Sequence, residues 1–296
     1  MNTLITGASG YIGKKLIEKL YKEGYSISVV IRKTSNIDDI KKYVDNIIFN
    51  TSYEEVYEKI NKIKPECYIN VSGKYYGSHN MKTIEEMIDA NITFPTLVLD
   101  AAVKAGCKNV IHTSSVQQCF EGEDYNPVNL YAATKQSFED ILKFYTESEA
   151  IKLIVLQLFD TYGADDSRNK IFNRIRNLKE DESFDLSPGM QKMYFCYIDD
   201  VVEAYMTAIR QLLCENDGFM GKYAIRGDKP IELRKFVDMY CTLMNREYLL
   251  NWGKRDYMKR EIMDPTDYGK VLPNWCMKVS YEEGIKLCAE YDRRAL

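Results

Sequence analysis

Histidine is almost missing from this chain, which has only His79 and His112, and its eight cysteines include no Cys-x-x-Cys pair. A zinc site requires clustered, suitably spaced ligands, so no metal centre is expected and the cysteines read as reduced core thiols. Long apolar runs are lacking too. The longest, Ile151 to Phe159, is broken by Lys152 and Gln157 and offers no membrane span. An excess of positive charge is also absent: the formal net charge of -4 argues against nucleic acid or an anionic membrane as partner. No basic stretch precedes an apolar one at the amino terminus, so export is not expected and the cytoplasm is the expected location.

What the chain does have begins at once. The short apolar strand Thr3-Leu4-Ile5 runs into Gly7-Ala8-Ser9-Gly10-Tyr11-Ile12-Gly13, and Ile12, Leu16, Ile17 and Leu20 form one face of the helix that follows. Glycines allow a tight turn and let backbone amides approach a pyrophosphate, which then rests on the positive end of the helix. A dinucleotide site is therefore expected at Gly7, Ser9, Gly10, Tyr11, Ile12 and Gly13. The spacing is G-x-x-G-x-x-G rather than the commoner G-x-G-x-x-G.

Apolar or β-branched runs recur at Thr3 to Ile5, Ser26 to Ile31, Asn46 to Phe49, Cys67 to Val71, Asn109 to Thr113 and Ile151 to Phe159. Helical patterns lie between them at Gly13 to Glu23, Tyr53 to Lys62, Thr83 to Ala105 and Asn129 to Ser148. This alternation predicts an α/β fold built on a doubly wound, Rossmann-type parallel sheet. Past Phe159 the alternation weakens into loops, followed by helical Asp199 to Cys214, a strand at Lys222 to Ile225 and a helix at Ile231 to Met244. A capping box of Ser280 and Glu283 starts a last helix. The expected division is a Rossmann domain over 1–160 and, over 161–296, mainly a small α/β substrate lobe interleaved with that core.

The chemistry is expected on the helix that opens Tyr131-Ala132-Ala133-Thr134-Lys135. Its stripe runs Tyr131, Lys135, Phe138, Leu142, Tyr145, which puts tyrosine and lysine on one inward face. The preceding strand ends in His112-Thr113-Ser114-Ser115. Doubly wound sheets place their ligands at the carboxyl ends of central strands, so either Ser114 or Ser115 can face Tyr131 across a cleft.

These motifs together resemble the extended short-chain dehydrogenase/reductases that act on nucleotide-linked sugars, and the resemblance runs along nearly the whole chain. It implies that Ser115, Tyr131 and Lys135 are the catalytic trio, with Ser115 favoured over Ser114. A nearby ammonium would lower the phenol's pKa from about 10, and Lys135 would also hold the nicotinamide ribose. Val71, Ser72, Gly73, Asn91 and Leu158 fall at positions expected to line the cofactor, as does Asn50, where the family commonly has an aspartate. The second strand ends in Ile31 followed by Arg32 and Lys33, where an NAD enzyme usually carries an acidic residue. A guanidinium suits a 2'-phosphate, so NADP is the expected cofactor, read by Arg32 and Lys33.

The same likeness narrows the reaction. Sugar dehydratases carry an Asp-Glu pair directly after the strand-end hydroxyl, whereas this chain has Val116-Gln117-Gln118, which argues against dehydration. The segment Gly189 to Val201 and Leu272-Pro273-Asn274-Trp275 are most similar to reductases that make CDP-linked dideoxyhexoses, the abequose and paratose synthases. The expectation is NADPH-dependent reduction of a nucleotide-linked 4-keto-6-deoxyhexose in surface-polysaccharide sugar biosynthesis. A nucleotide-sugar 4-epimerase and a non-catalytic NADP sensor are the alternatives. Substrate contacts are expected from Lys74, Ser115, Gln117, Asp160, Arg168 and Lys170, and a homodimer through the helices at Thr83 to Ala105 and Asn129 to Ser148. Two departures stand out: Met193-Tyr194 replaces a common Arg-Asp, and Asp160 replaces an asparagine.

Overall fold

The computed structural model describes residues 1–265 and 268–295. In chain order the elements are β1 (Asn2–Thr6), α1 (Tyr11–Lys22), β2 (Ser26–Ile31), β3 (Asn46–Phe49), α2 (Tyr53–Ile63), β4 (Cys67–Asn70), α3 (Met81–Ile88) and α4 (Phe94–Lys104). They continue as β5 (Asn109–Ser115), α5 (Leu130–Glu149), β6 (Lys152–Leu158), β7 (Asp160–Tyr162), α6 (Ile171–Arg176), β8 (Ser183–Leu186), β9 (Lys192–Met193) and β10 (Phe195–Tyr197). Then come α7 (Ile198–Cys214), β11 (Met220–Ile225), β12 (Ile231–Glu232), α8 (Leu233–Met244), β13 (Leu249–Trp252) and α9 (Tyr281–Ala295).

Seven parallel strands make the main sheet in the order β11-β6-β5-β4-β1-β2-β3. Because the strands are buried on both faces, alternate residues of each feed two cores. Ile5, Val29, Ile69, Ile111 and Ile154 pack with Leu16, Ile17 and Leu20 of α1 and with Val201, Tyr205 and Ile209 of α7. Leu4, Val30, Tyr68, Val110 and Leu153 pack on the other face with α2, α4 and α5, through Val56, Ile60, Leu99, Phe138 and Leu142. The expected α/β class and the strand and helix positions up to Phe159 are thus what is found.

Helix starts follow their caps. Ser52 accepts from the Glu55 amide at 3.3 Å, and Asn129 accepts from the Ala132 amide at 2.9 Å, each occupying a donor that the first turn leaves free. The expected cap of α9 is present, with the Glu283 amide on Ser280 Oγ at 3.2 Å. The continuous helix read at Thr83 to Ala105 differs in one respect. Between α3 and α4 the residues Asp89 to Thr93 form a π-helical turn, an inserted residue that hydropathy periodicity does not register.

Past β6 the chain builds small ladders beyond the carboxyl ends of the main strands: β10 with β7, β9 with β12, and β8 with β13. Strands this short carry too few residues to show a period in the sequence, and Ile231–Glu232, expected to open a helix, forms β12 ahead of α8. The chain also returns to the main sheet, where β11 pairs with β6 from Met220 to Ile225. The Leu272-to-Trp275 motif is a clamp: Trp275 Nε1 donates to the Asp200 carbonyl at 2.9 Å, while the Asp200 carboxylate accepts from the Lys278 and Val279 amides at 3.0 and 2.9 Å.

A bidentate ion pair ties α6 to α9. Arg176 Nε and Nη2 each donate to Asp292 at 2.8 Å, Tyr240 of α8 adds its hydroxyl at 2.9 Å, and the guanidinium is 4% exposed. Removing one partner of such a pair strands the other charge in the interior. Asp292→Ala is expected to cost about 3 kcal/mol of stability, read as a lowered urea midpoint with an unchanged slope.

Candidate active site

The sheet order reverses at β1, which pairs with β2 on one side and β4 on the other. The loops leaving the carboxyl ends of β1 and β4 therefore part, and a crevice opens between them. Gly7 lies there with φ of +83°, and a Cβ on it would come within 2.6 Å of the Val71 carbonyl carbon and the Ser72 nitrogen. A Cβ on Gly13 would overlap the Gly7 carbonyl, so α1 can approach the strand only without side chains. Gly10 is the N-cap of α1, with no side-chain cap and no acidic residue in the first turn. Its amide closes the turn on the Gly7 carbonyl at 3.0 Å. Uncapped amides at the positive end of a helix, beside a cradle that any Cβ would fill, fit a dinucleotide pyrophosphate.

A cavity of about 470 Å³ adjoins this cradle, lined by Ser9, Lys14, Arg32, Thr34, Ser35, Asn36, Asp38 and Asp39. Arg32 is brought into it as expected. Lys33 is not among its lining residues, since the side chains of successive residues diverge at the end of β2. Lys14, which the sequence reading did not single out, lines it and is held by Asp39 at 2.7 Å. Asn50 sits at the end of β3, its amide on the Ile31 carbonyl at 2.7 Å.

On the other side of the crevice, Ser72 is fixed by Asn70, whose Oδ1 accepts from Ser72 Oγ at 2.6 Å and from its amide at 3.0 Å. The π turn has a clear effect here. It presents Asn91, which is 1% exposed, so that Oδ1 accepts from the Lys74 amide at 2.7 Å while Nδ2 donates to the Lys74 carbonyl at 3.0 Å and to Thr134 Oγ1 at 2.9 Å. Asn91 therefore binds the loop after β4 to α5. The Lys74 ammonium is taken up by Glu86 at 2.7 Å.

Ser115 ends β5, and the following turn is tied to the start of α5. The Val128 amide bonds the Gln117 carbonyl at 2.8 Å, and Asn129 Nδ2 bonds Gln117 Oε1 at 3.1 Å. That tether brings Ser115 to the first turn of α5, which carries Tyr131, and it commits the Gln117 side chain that was expected on substrate. No described residue hydrogen-bonds the Tyr131 hydroxyl; its ring meets the edge of Tyr75 with centroids 5.1 Å apart. Ser114 turns to the opposite face of the strand, where it is 2% exposed and its Oγ bonds Gln118 Oε1 at 2.5 Å and also Glu139. Of the two serines, Ser115 belongs to the cleft.

One turn along α5 from Tyr131, the Lys135 ammonium reaches the Ser72 carbonyl at 3.4 Å and is 2% exposed. Burial governs both groups. It pushes the Lys135 ammonium down to about 8, against the field of Glu139, and the Tyr131 hydroxyl up to about 12, with Tyr75 adding to the rise and Arg168 opposing it. The lowered phenol expected from the Tyr/Lys pair is thus replaced by a phenol that holds its proton.

At the end of β6, Leu158 is buried, and Asp160 begins β7. Lys170 Nζ lies 3.4 Å from Asp160 Oδ1. Arg168 is not a free cation. The buried Asp166 takes its Nε at 2.8 Å and Nη2 at 2.7 Å, the Thr161 carbonyl takes Nη2 at 2.9 Å, and the guanidinium lies 4.8 Å from the Tyr11 ring centre. Tyr11 in turn bonds Asp165 at 3.1 Å, so the first turn of α1 touches the loop that carries Arg168. Tyr194, at the altered Arg-Asp position, is 2% exposed and packs against Phe159 with Arg226 over its ring, a core role in place of a ligand.

Comparison with known proteins places this architecture. Residues 3–217 match the model of the NAD dependent epimerase/dehydratase family. The chain belongs to that family. Among curated members, a CDP-abequose synthase of Salmonella muenchen is 28% identical over 96% of this chain and 95% of its own length. A UDP-glucuronate 4-epimerase of Thermodesulfobacterium geofontis is 25% identical over 98% and 95%. Among solved structures, a UDP-glucose 4-epimerase of Thermotoga maritima superimposes with a TM-score of 0.83 at 20% identity, over 100% of this chain and 99% of that one.

Gly7→Ala tests the cradle. The Cβ would meet the loop after β4, and the backbone would be held at a φ that alanine rarely adopts. The variant is expected to fold, by circular dichroism, but to lose quenching of protein fluorescence by added NADPH or NADH.

Proposed function

We propose that this protein is a nucleotide-sugar enzyme that reduces a 4-keto-6-deoxyhexose with NADPH, with a CDP-linked sugar favoured. The observation that carries the reading is the cavity at the end of β2: Ile31 stands where a ribose-binding carboxylate would, and Arg32, Lys14, Ser9, Thr34 and Ser35 offer charge and hydroxyls to a 2'-phosphate. The kinship with CDP-abequose synthases along nearly the whole chain supports a CDP-sugar. Gln118 supports reduction over dehydration, because it is a buried amide bonded to Glu139 and Gln136 and offers no titratable proton.

In this reading the nicotinamide, when bound, supplies the hydride. Gly7, Gly10 and Gly13 seat the pyrophosphate, and Ser72, Gly73 and Asn91 hold the loop beside the nicotinamide half. Ser115 Oγ holds the substrate carbonyl oxygen. Tyr131 Oη, kept protonated by burial, delivers the proton to that oxygen, and Lys135 Nζ stabilises the phenolate left behind. Asp160 and Lys170 face the sugar. Met81, Ile88 and Leu97 along α3 and α4, with Phe144 on α5, leave apolar side chains exposed, which supports a homodimer through these helices.

A 4-epimerase that keeps NAD is the second reading. Asp38 and Asp39 line the same cavity, where a carboxylate suits an unphosphorylated ribose, and solved relatives include 4-epimerases in complex with NAD.

CDP-, dTDP-, GDP- and UDP-linked 4-keto-6-deoxyhexoses, each mixed with NADPH and followed at the nicotinamide band, separate these readings. Oxidation is expected fastest with the CDP-sugar, and Arg32→Ala is expected to weaken NADPH binding about tenfold or more while leaving NADH binding unchanged. Protein that arrives with bound NAD and consumes none would instead make it an epimerase. Light scattering at micromolar concentration is expected to give twice the chain mass; a monomer would remove the dimer from the proposal.

A further inference from the structure

Behind the strand that ends in Ser115 lies a closed group of polar side chains that the reaction above does not use. Glu139 is 4% exposed, and two donors converge on it, Gln118 Nε2 at 2.7 Å and Lys222 Nζ at 2.9 Å, while the single proton of the Ser114 hydroxyl lies between Glu139 and Gln118 Oε1. Each carboxylate oxygen of Glu139 thus has a partner, Gln118 on Oε1 and Lys222 on Oε2. Gln118 extends the group to the cleft, since its Oε1 accepts from the Ser115 amide at 3.1 Å. On α5, Glu139 stands one turn beyond Lys135, so both project from the same buried face.

We propose that Glu139 is a positioning residue for the reaction: through Gln118 it braces the Ser115 turn, and through its charge it keeps the Lys135 ammonium protonated at working pH. The proposal rests on the assignment of Ser115 and Lys135 as catalytic. No described carboxylate lies within ion-pair distance of Lys135, whose ammonium reaches the Ser72 carbonyl at 3.4 Å. Glu139 is the charge that opposes the effect of burial on it.

Among the described residues the surroundings of Lys135 add no competing anion. His112 of β5 packs on Phe138 with ring centres 5.0 Å apart and is held neutral by burial, with Lys135 and Lys222 both opposing its protonation. From α5 the neighbours are Tyr131 and Glu139, and from the loop after β4 the Ser72 carbonyl. From β11 comes Lys222, on which Glu139, Cys119 and Asp124 act.

The sign follows directly. Glu139 favours the charged amine, so losing its charge lowers the pH at which Lys135 gives up its proton, whereas losing Lys222 leaves Glu139 uncompensated and raises that pH. Heteronuclear NMR of ¹³C,¹⁵N-lysine-labelled protein, with the Lys135 signal assigned by its loss in Lys135→Met, reads this midpoint without any sugar. Glu139→Gln is expected to move it acidward by about half a pH unit or more, and Lys222→Met to move it the other way. Amide exchange at Ser115 is expected to quicken in Glu139→Gln. Equal midpoints in all three proteins, shifts of the same direction in both variants, or unchanged Ser115 exchange would overturn the proposal. Should Glu139→Gln fail to fold, an unmoved midpoint in Lys222→Met would overturn it alone. Failure of every sugar to turn over would defeat the reductase reading and leave this titration intact.

Discussion

Everything chemical in this molecule depends on one topological constraint, the reversal of strand order at β1. A parallel sheet covered on both faces leaves no opening in its middle. Where β1 has β2 on one side and β4 on the other, the outgoing loops must diverge, and a crevice opens between them. Gly7 occupies that break with no room for a Cβ against Val71 and Ser72. The same crevice receives Lys135 from α5 on its far side, through the Ser72 carbonyl. The Gly7 cradle and Lys135 thus share a single loop, the one after β4, and Asn91 fixes that loop by holding both backbone groups of Lys74.

Burial then decides the protonation of the site more than pairing does. A tyrosine and a lysine one turn apart on an exposed helix would sit near their ordinary values. Here the protein interior disfavours charge on both, so the phenol keeps its proton and the amine is drawn toward neutrality. That polarity suits proton donation, the half of the chemistry that a carbonyl reduction asks of the protein. Around Tyr131 and Lys135 the formal charges are matched in pairs: Arg168 by Asp166, Lys74 by Glu86, Lys222 by Glu139.

How much of this could be read from the sequence depended on range. The alternation of buried strands and amphipathic helices up to Phe159 is a local pattern, and so are Gly7 to Gly13 and the stripe from Tyr131 to Tyr145; all were legible. Ser115 was distinguishable from Ser114 only by resemblance until the pleat of β5 separated them. Arg168 and Gln117 read as free polar groups because their partners, Asp166 and Asn129, bind them by geometry that spacing does not encode. Glu139 was legible in principle: a carboxylate one turn past Lys135 on the inward stripe demands a buried cation. That cation is Lys222, more than eighty residues later, and no periodicity points to it. The small ladders of β7 to β10 were lost for want of length.

The return of the chain to the main sheet has a consequence for how the molecule is made. Lys222 arrives on β11, the last strand added and the one at the sheet's edge, yet its ammonium meets a carboxylate already fixed on α5. During synthesis every residue of the dinucleotide cradle and the Ser115, Tyr131 and Lys135 group emerges before that cation does. Until β11 docks, Glu139 lacks the ammonium that meets it in the finished fold. Closure of the sheet edge is therefore the event that completes this buried ion pair, and a chain halted before it would carry every motif and lack the pair.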